Sequence, residues 1–378
     1  MNPVFMQIAW KKLFRRSPMT MTSRERVLTA LDHRQPDRPP LNYFGTPETT
    51  EKLLQHLKLE TFEDLKQFFG ADMRYVSASY VGPTCYCGMS GYAGGGTDVW
   101  GQRWEPVRNE FCTYYEVLDP VLKSARNVQD LEGHSWPNPD WFDVSGLKEA
   151  IKAINDPEPR AIVYPMGSFL ETARAMRGFE IFTMDMIERP EMVEFMLEKT
   201  VGFFEELAMR AVEAADGGID IVWSASDVGM QTGMMFSPGL WRELVKPFHR
   251  RLITPFKEMG LKTRYHTDGS VEPIIEDLIE MGLDILDPIQ PDTPGMDPQN
   301  LRETFGGRLS FYGGVDTQKL LPFGSPKQVE QKVLELIRVL GDQGGYIVAA
   351  SNAVQADVPV ANILALYCTA RDYTYYTC

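Results

Sequence analysis

His266 and Asp268 stand two residues apart in the run KTRYHTD (262–268), just before an Asp-Gly turn. On an extended strand, residues i and i+2 face the same way, so an imidazole and a carboxylate would share one face. Such a pair can ligate a divalent metal, or serve as an acid–base couple in which the carboxylate orients the ring. The other use for His266 is to cap the following helix or bond a neighbouring carbonyl. Asp227, at the end of an earlier strand-like run, offers a third inward group, with turn formation as its alternative. The catalytic candidates are therefore His266, Asp268 and Asp227, with His266 and Asp268 as the metal ligands. The remaining histidines, His33, His56, His134 and His249, fall in predicted helices or loops, where packing or surface exposure is expected.

The elements that must position these groups form a regular series. Strand candidates lie at 39–45, 73–80, 161–167, 219–226, 262–268, 284–290, 309–314 and 346–351. Helical patterns separate the later ones, as with Met192, Phe195, Met196, Phe203 and Leu207, or Val329, Val333, Leu336, Ile337 and Leu340. Ser237-Pro238 and Ser325-Pro326 each read as an N-cap followed by proline in the first turn. Strands and helices alternating eight times predict an α/β fold, a single (β/α)8 TIM barrel. No glycine-rich dinucleotide fingerprint follows an early strand. In such barrels the chemistry sits at the C-terminal strand ends. There the sequence places Tyr43, Ser168, Gln231, Gln290, Asp316, Asn352 and Gln355, the substrate-binding candidates. Asp287 and Asp316 have the same ambiguity as Asp227, and the Gly313-Gly314 pair is a weak sign of an anion-holding loop.

Two stretches depart from this rhythm. Residues 82–140, inserted after the second strand, are rich in Gly, Cys and aromatics and read as a long loop or β excursion. Trp100, Trp104, Tyr114 and Tyr115 there, with Tyr75 and Tyr80 just before it, could line a pocket or pack the insertion onto the rim. Cys85 and Cys87 are too close together for an ordinary zinc ribbon. Residues 1–21 are basic and amphipathic, and read either as a surface or targeting segment or as an extension upstream of the native start, with the barrel spanning 22–378. The chain as a whole has 378 residues and a net charge of -14, which argues against general nucleic-acid binding. An odd set of five cysteines suggests a reducing, cytoplasmic setting, and no run approaches the roughly 20 apolar residues of a membrane span.

Several blocks carry a family resemblance. SRERVLTALDHRQPDRPP (23–40), GSFLETARAMRGFE (167–180), SDVGMQTGMMFSPGLWRELVKPFHRRL (226–252), HTDGSV (266–271), FYGGVDTQ (311–318) and SNAVQADVPVANI (351–363) resemble the superfamily of uroporphyrinogen decarboxylases and cobalamin-dependent methyltransferases. The resemblance covers nearly the whole chain from about residue 22. It implies the same barrel, and a homodimer paired across the catalytic faces.

Site residues divide that superfamily. Its porphyrinogen decarboxylases carry an Arg-rich segment after the first strand to bind substrate carboxylates. Here LNYFGTPETTEK (41–52) contains no Arg. Its methyltransferases bind zinc through His-x-Cys after the fifth strand and a further Cys after the eighth. Here the His is His266, the first Cys is replaced by Asp268, and the second falls near Ser351 or Asn352. Loss of both thiolates implies a harder N/O site for zinc or another divalent metal, or no metal. The resemblance thus implies a divergent methyltransferase, taking a methyl group from an aryl methyl ether or methylamine-like compound. The corrinoid would be carried by a separate partner protein. The alternatives are a cofactor-free decarboxylase of a porphyrinogen or smaller acid, and a non-catalytic ligand-binding barrel.

Overall fold

The computed structural model describes residues 21–91 and 94–375, so the expectation for the N-terminal extension lies almost wholly outside the described residues. Seven strands form one sheet: β1 (Met73–Tyr75), β2 (Ala161–Gly167), β3 (Ile221–Ala225), β4 (Lys262–His266), β5 (Ile285–Ile289), β6 (Ser310–Val315) and β7 (Tyr346–Ala350). Their spatial order is their chain order, and every pairing is parallel. Helices return the chain between most of them, as the alternation of patterns requires.

The first expected strand, 39–45, is the exception. It survives only as isolated bridges, Leu41 to Val348 and Gly45 to Val354. Pro39 and Pro40 lack the N–H groups a ladder needs. The amide of Leu41 donates instead to the Asp72 carboxylate at 2.9 Å. The segment still touches both edges of the sheet. Asn42 N–H donates to the Val348 carbonyl at 3.1 Å, and Asp72 N–H to the Leu41 carbonyl at 2.9 Å. Two arginines complete the seam: Arg26 Nη1 lies 2.7 Å and Arg38 Nη1 2.9 Å from the buried Asp72.

Alternate residues of the strands sort into two apolar layers, as a period of two demands. One layer gathers Met73, Ala161, Val163, Ile221, Ile285, Tyr312, Ile347 and Ala349, together with Val27 and Leu31. Those last two belong to α1 (Ser23–Leu31), which starts with a full capping box on Thr22. The other layer lies between the sheet and its helices. Among these are α2 (Phe169–Arg177), α3 (Phe179–Glu188), α4 (Pro190–Ala214), α5 (Lys246–Glu258) and α6 (Pro326–Gly341). Met192, Met196, Phe203 and Leu207 of α4 are buried as their spacing predicts. The Ser237 and Ser325 hydroxyls accept from Leu240 N–H and Gln328 N–H, so both predicted N-caps form.

The 82–140 excursion is a β structure, an antiparallel sheet of Gly96–Thr97, Arg103–Arg108 and Thr113–Val117. Trp100 anchors it by packing on Phe203 and Phe204 of α4, with ring centroids 5.0 and 5.4 Å away. The buried Asp98 carboxylate holds its turn, accepting from the amides of Trp100 and Gln102 and from Trp104 Nε1. Packing, the second use weighed for these aromatics, is what Trp100 does. Among the described residues no helix is long and apolar enough to cross a membrane.

Candidate active site

Sheet register creates the site. His266, the last residue of β4, pairs with Ala225 at the end of β3 and Asp287 in β5. The chain emerging from each strand therefore meets around one imidazole. Nε2 of His266 lies 3.8 Å from Asp268 Oδ1 and 3.9 Å from Asp227 Oδ1. On the far side of the ring, Nδ1 is 3.3 Å from Asp287 Oδ2. Asp227 Oδ1 also accepts the Asp268 N–H at 2.9 Å, tying the two loops together.

A buried charge network supports the ring. Arg264, two residues before His266 on β4, places Nε and Nη2 each 2.8 Å from Asp287 Oδ2. Its guanidinium lies 3.9 Å from the Tyr312 ring centroid and donates to the Tyr75 hydroxyl at 2.9 Å. Asn42 Nδ2 in turn donates to the hydroxyls of Tyr75 and Tyr312. Burial alone would raise the Asp287 pKa, but Arg264 and His266 hold it below the usual carboxylate range. Burial likewise works against a charged His266. Asp287, then Asp268 and Asp227, outweigh it and hold the ring's pKa up at about 9.

Side-chain amides fix Asp268. Gln290 Nε2 donates to its Oδ1 at 2.9 Å and Asn352 Nδ2 to its Oδ2 at 2.6 Å. Gln290 Oε1 accepts from Gly269 N–H and from Gln231 Nε2, at 3.0 and 3.1 Å. Burial pushes the Asp268 carboxyl up to about 6, against the pull of His266. On the opposite flank Glu171 of α2 accepts the Asp227 amide, and Arg174 donates to the Asp227 carbonyl at 3.4 Å. Burial, and then the neighbouring Asp227 charge, push Glu171 up to about 7.

Asp227, His266 and Asp268 are the group among the described residues that could hold a metal ion, with ligand atoms within 4.8 Å of one another. Separations of 3.8 and 3.9 Å are too long for hydrogen bonds. They come within about half an ångström of the roughly 3.4 Å between two ligand atoms that share a tetrahedral ion. With the Nδ1 proton directed at Asp287, loss of the Nε2 proton would turn the Nε2 lone pair toward the two carboxylates, the carboxylate–histidine–metal pattern. One imidazole and two carboxylates make a harder donor set than thiolates do, and fit zinc or another divalent ion.

The family model for uroporphyrinogen decarboxylase (URO-D) matches residues 113–373. The chain belongs to that family. A methylated-thiol–coenzyme M methyltransferase of Methanosarcina mazei is 29% identical over 131 residues, which is 35% of this chain. The matching stretch spans only 32% of that relative's length. A methyltransferase structure from Methanosarcina mazei superposes with a TM-score of 0.67 at 19% identity, over 93% of this chain and 99% of the other. That likeness shows the URO-D family fold.

Within this cluster, three of the sequence-derived substrate candidates, Gln231, Gln290 and Asn352, join the Asp268 network. Asp316 instead accepts the amides of Gln318, Lys319 and Leu320, a capping role. The Gln355 amide reaches only the Ala353 carbonyl, at 3.5 Å. Ser168 begins α2 without a side-chain cap bond. Tyr43 is a correction: it is buried between Phe69 and Tyr367, with its hydroxyl on Thr50, so the aromatic core claims it rather than the mouth. In the sequence Asp287 is ambiguous, and Arg264, Glu171 and Arg174 do not stand out. The i, i+2 spacing of Arg264 and His266 was the signal available for one of them.

Proposed function

We propose that this chain is a methyltransferase that demethylates a small methylated compound, an aryl methyl ether or a methylamine-like donor. It would do so in concert with a corrinoid held by a separate protein. The Asp227–His266–Asp268 group backed by Asp287 is the observation that carries this reading. The similarity to Methanosarcina methyltransferases supports it. So does the commitment of Arg264 to Asp287, which withholds that cation from the carboxylates of a porphyrinogen. We infer further that segment 39–45 acts as the eighth stave of a closed barrel, with 82–140 as an insertion on it.

A reduced corrinoid, when docked, supplies the nucleophile that takes the methyl group. The residues of this chain act on the other side of the broken bond. The C–O or C–N electron pair stays on the donor heteroatom, which must be polarised or protonated. Asp227, His266 and Asp268 would hold a divalent ion that acts there as a Lewis acid. Without one, the His266 proton between the two carboxylates serves as the acid. Gln290 and Asn352 keep Asp268 aimed inward in either case.

Elemental analysis of purified wild-type protein and His266→Ala tests the metal form. One equivalent of a divalent ion, lost in the variant, would establish it, and metal-free wild type would leave the His266 acid. Methyl transfer from a panel of ethers and amines to a reduced corrinoid protein tests the activity. Failure across the panel would overturn the methyltransferase reading.

A further inference from the structure

A cleft of about 160 Å³ borders the site and shares a wall with it at Arg174. Phe179 and Phe182 of α3, with Met230, Met235 and Phe236 from the loop after β3, form most of the lining. It opens to solvent, since Phe179 and Met230 at its mouth are 53% and 42% exposed. Nothing in the chemistry above uses these aromatic and thioether side chains.

Arg174 is the only charged side chain on that lining. Its Nη1 lies 3.1 Å from Met235 Sδ and 3.4 Å from the Asp227 carbonyl, and its Nη2 is 3.4 Å from Glu171. The two contacts to oxygen are long, and the three together leave two of the roughly five guanidinium hydrogens without a partner. The carboxylate nearest to it, Glu171, is already bound to the Asp227 amide.

We propose that this cleft binds a small anionic arene, with its ring among the Phe and Met side chains and its carboxylate on Arg174. The proposal rests on the methyl-transfer reading and selects the aryl ether over the amine as donor. Size is adequate, because a cavity of roughly 150 Å³ holds a benzene ring. Ring edges and sulfur atoms are favourable partners for an aromatic ligand. Bidentate guanidinium contacts suit a carboxylate, and they are needed in a chain whose net charge of -14 otherwise repels anions. A methylammonium donor would look for a cation–π surface. Arg174 already lies over the Phe179 ring, 5.3 Å from its centroid, and would repel a second cation.

Calorimetric titration of the full chain with 4-methoxybenzoate, methoxybenzene and trimethylamine tests the ligand class. Thr183 lines the cleft from α3, and its hydroxyl only bonds the Phe179 carbonyl, so Thr183→Trp fills the space without touching the Asp227–His266–Asp268 group. Thr183→Phe is the smaller substitute should the first variant not fold. The expected result is methoxybenzoate binding, weakened about tenfold or more in methoxybenzene for want of the charge-assisted bond, and no trimethylamine binding. The filled variant should keep the wild-type melting temperature and metal content and lose methoxybenzoate. Unchanged methoxybenzoate affinity in the folded variant, or tighter binding of trimethylamine, would overturn the proposal. Methyl transfer from another donor, insensitive to Thr183→Trp, sinks the cleft and leaves the methyltransferase. Methoxybenzoate binding lost in Thr183→Trp, with no methyl transfer from any donor, sinks the methyltransferase and leaves the cleft.

Discussion

His266 Nδ1 lies 3.3 Å from Asp287 Oδ2, the same oxygen that takes two 2.8 Å contacts from Arg264. One buried carboxylate thus holds the Nδ1 side of the site histidine and balances the charge of Arg264. Asp287→Asn should weaken zinc binding by roughly 10–100-fold, the usual effect of losing such a partner. It should also destabilise the fold, by about 3–5 kcal/mol, because Arg264 is left buried without its counter-charge. Chelator competition and urea unfolding measure the two effects. Wild-type zinc affinity in the variant would show that Asp287 serves Arg264 alone.

Protons and a divalent ion at the Asp227–His266–Asp268 group would compete for the same atoms. The His266 pKa of about 9 means that a proton must leave Nε2 before an ion binds there at neutral pH. Apparent affinity should therefore rise with pH, about tenfold per unit for one displaced proton. Below about 6, where Asp268 also takes up a proton, the slope should steepen. Zinc titrations between pH 5 and 8.5 would show both regimes. A pH-independent affinity is incompatible with ligation by His266.

Asp72 makes the seam between segment 39–42 and β1 depend on charge. It accepts from Arg26 at 2.7 Å, Arg38 at 2.9 Å and the Leu41 amide at 2.9 Å, all in the interior. Asp72→Asn leaves two buried arginines short of their partner, and a loss of about 3–5 kcal/mol is expected. Hydrogen exchange should localise the added opening to residues 38–42 and β1. Protection unchanged there would mean that backbone bonds alone close the seam.

His249 supplies an acid-sensitivity that has nothing to do with the site. It is fully buried among Phe169, Trp241 and Tyr265, and burial pushes its pKa down to about 3. Since its pKa falls on folding, the unfolded chain binds a proton that the native state refuses between the ordinary 6.5 and about 3. Its contribution to stability is thus neutral above pH 6.5 and turns unfavourable as pH falls, by about 1.4 kcal/mol per unit. His249→Phe keeps an aromatic ring and should flatten this part of the pH–stability curve. Equal slopes for variant and wild type below pH 6.5 would refute the assignment.

The sequence by itself determined the elements and the place of the chemistry. Six of the later strand runs, from 161 onward, appear within a residue or two of their predicted bounds. This is because buried parallel strands are short apolar runs that need little context. His266 and Asp268 were legible as partners because their i, i+2 spacing is a local property of an extended chain. Only the tertiary structure decided which other groups complete the site. Asp287 faces His266 through the β4–β5 register, and Asn352 reaches Asp268 across 84 residues of chain. Register between strands leaves no trace in the spacing of either strand alone. Tyr43 was misplaced for the same reason: its sequence position fits a strand end, but Phe69 and Tyr367, far apart in the chain, close over it. The doubled proline at 39–40 is visible in the sequence, yet its consequence, a segment held by Asp72 instead of a ladder, requires Arg26 of α1 to be in place beside Arg38.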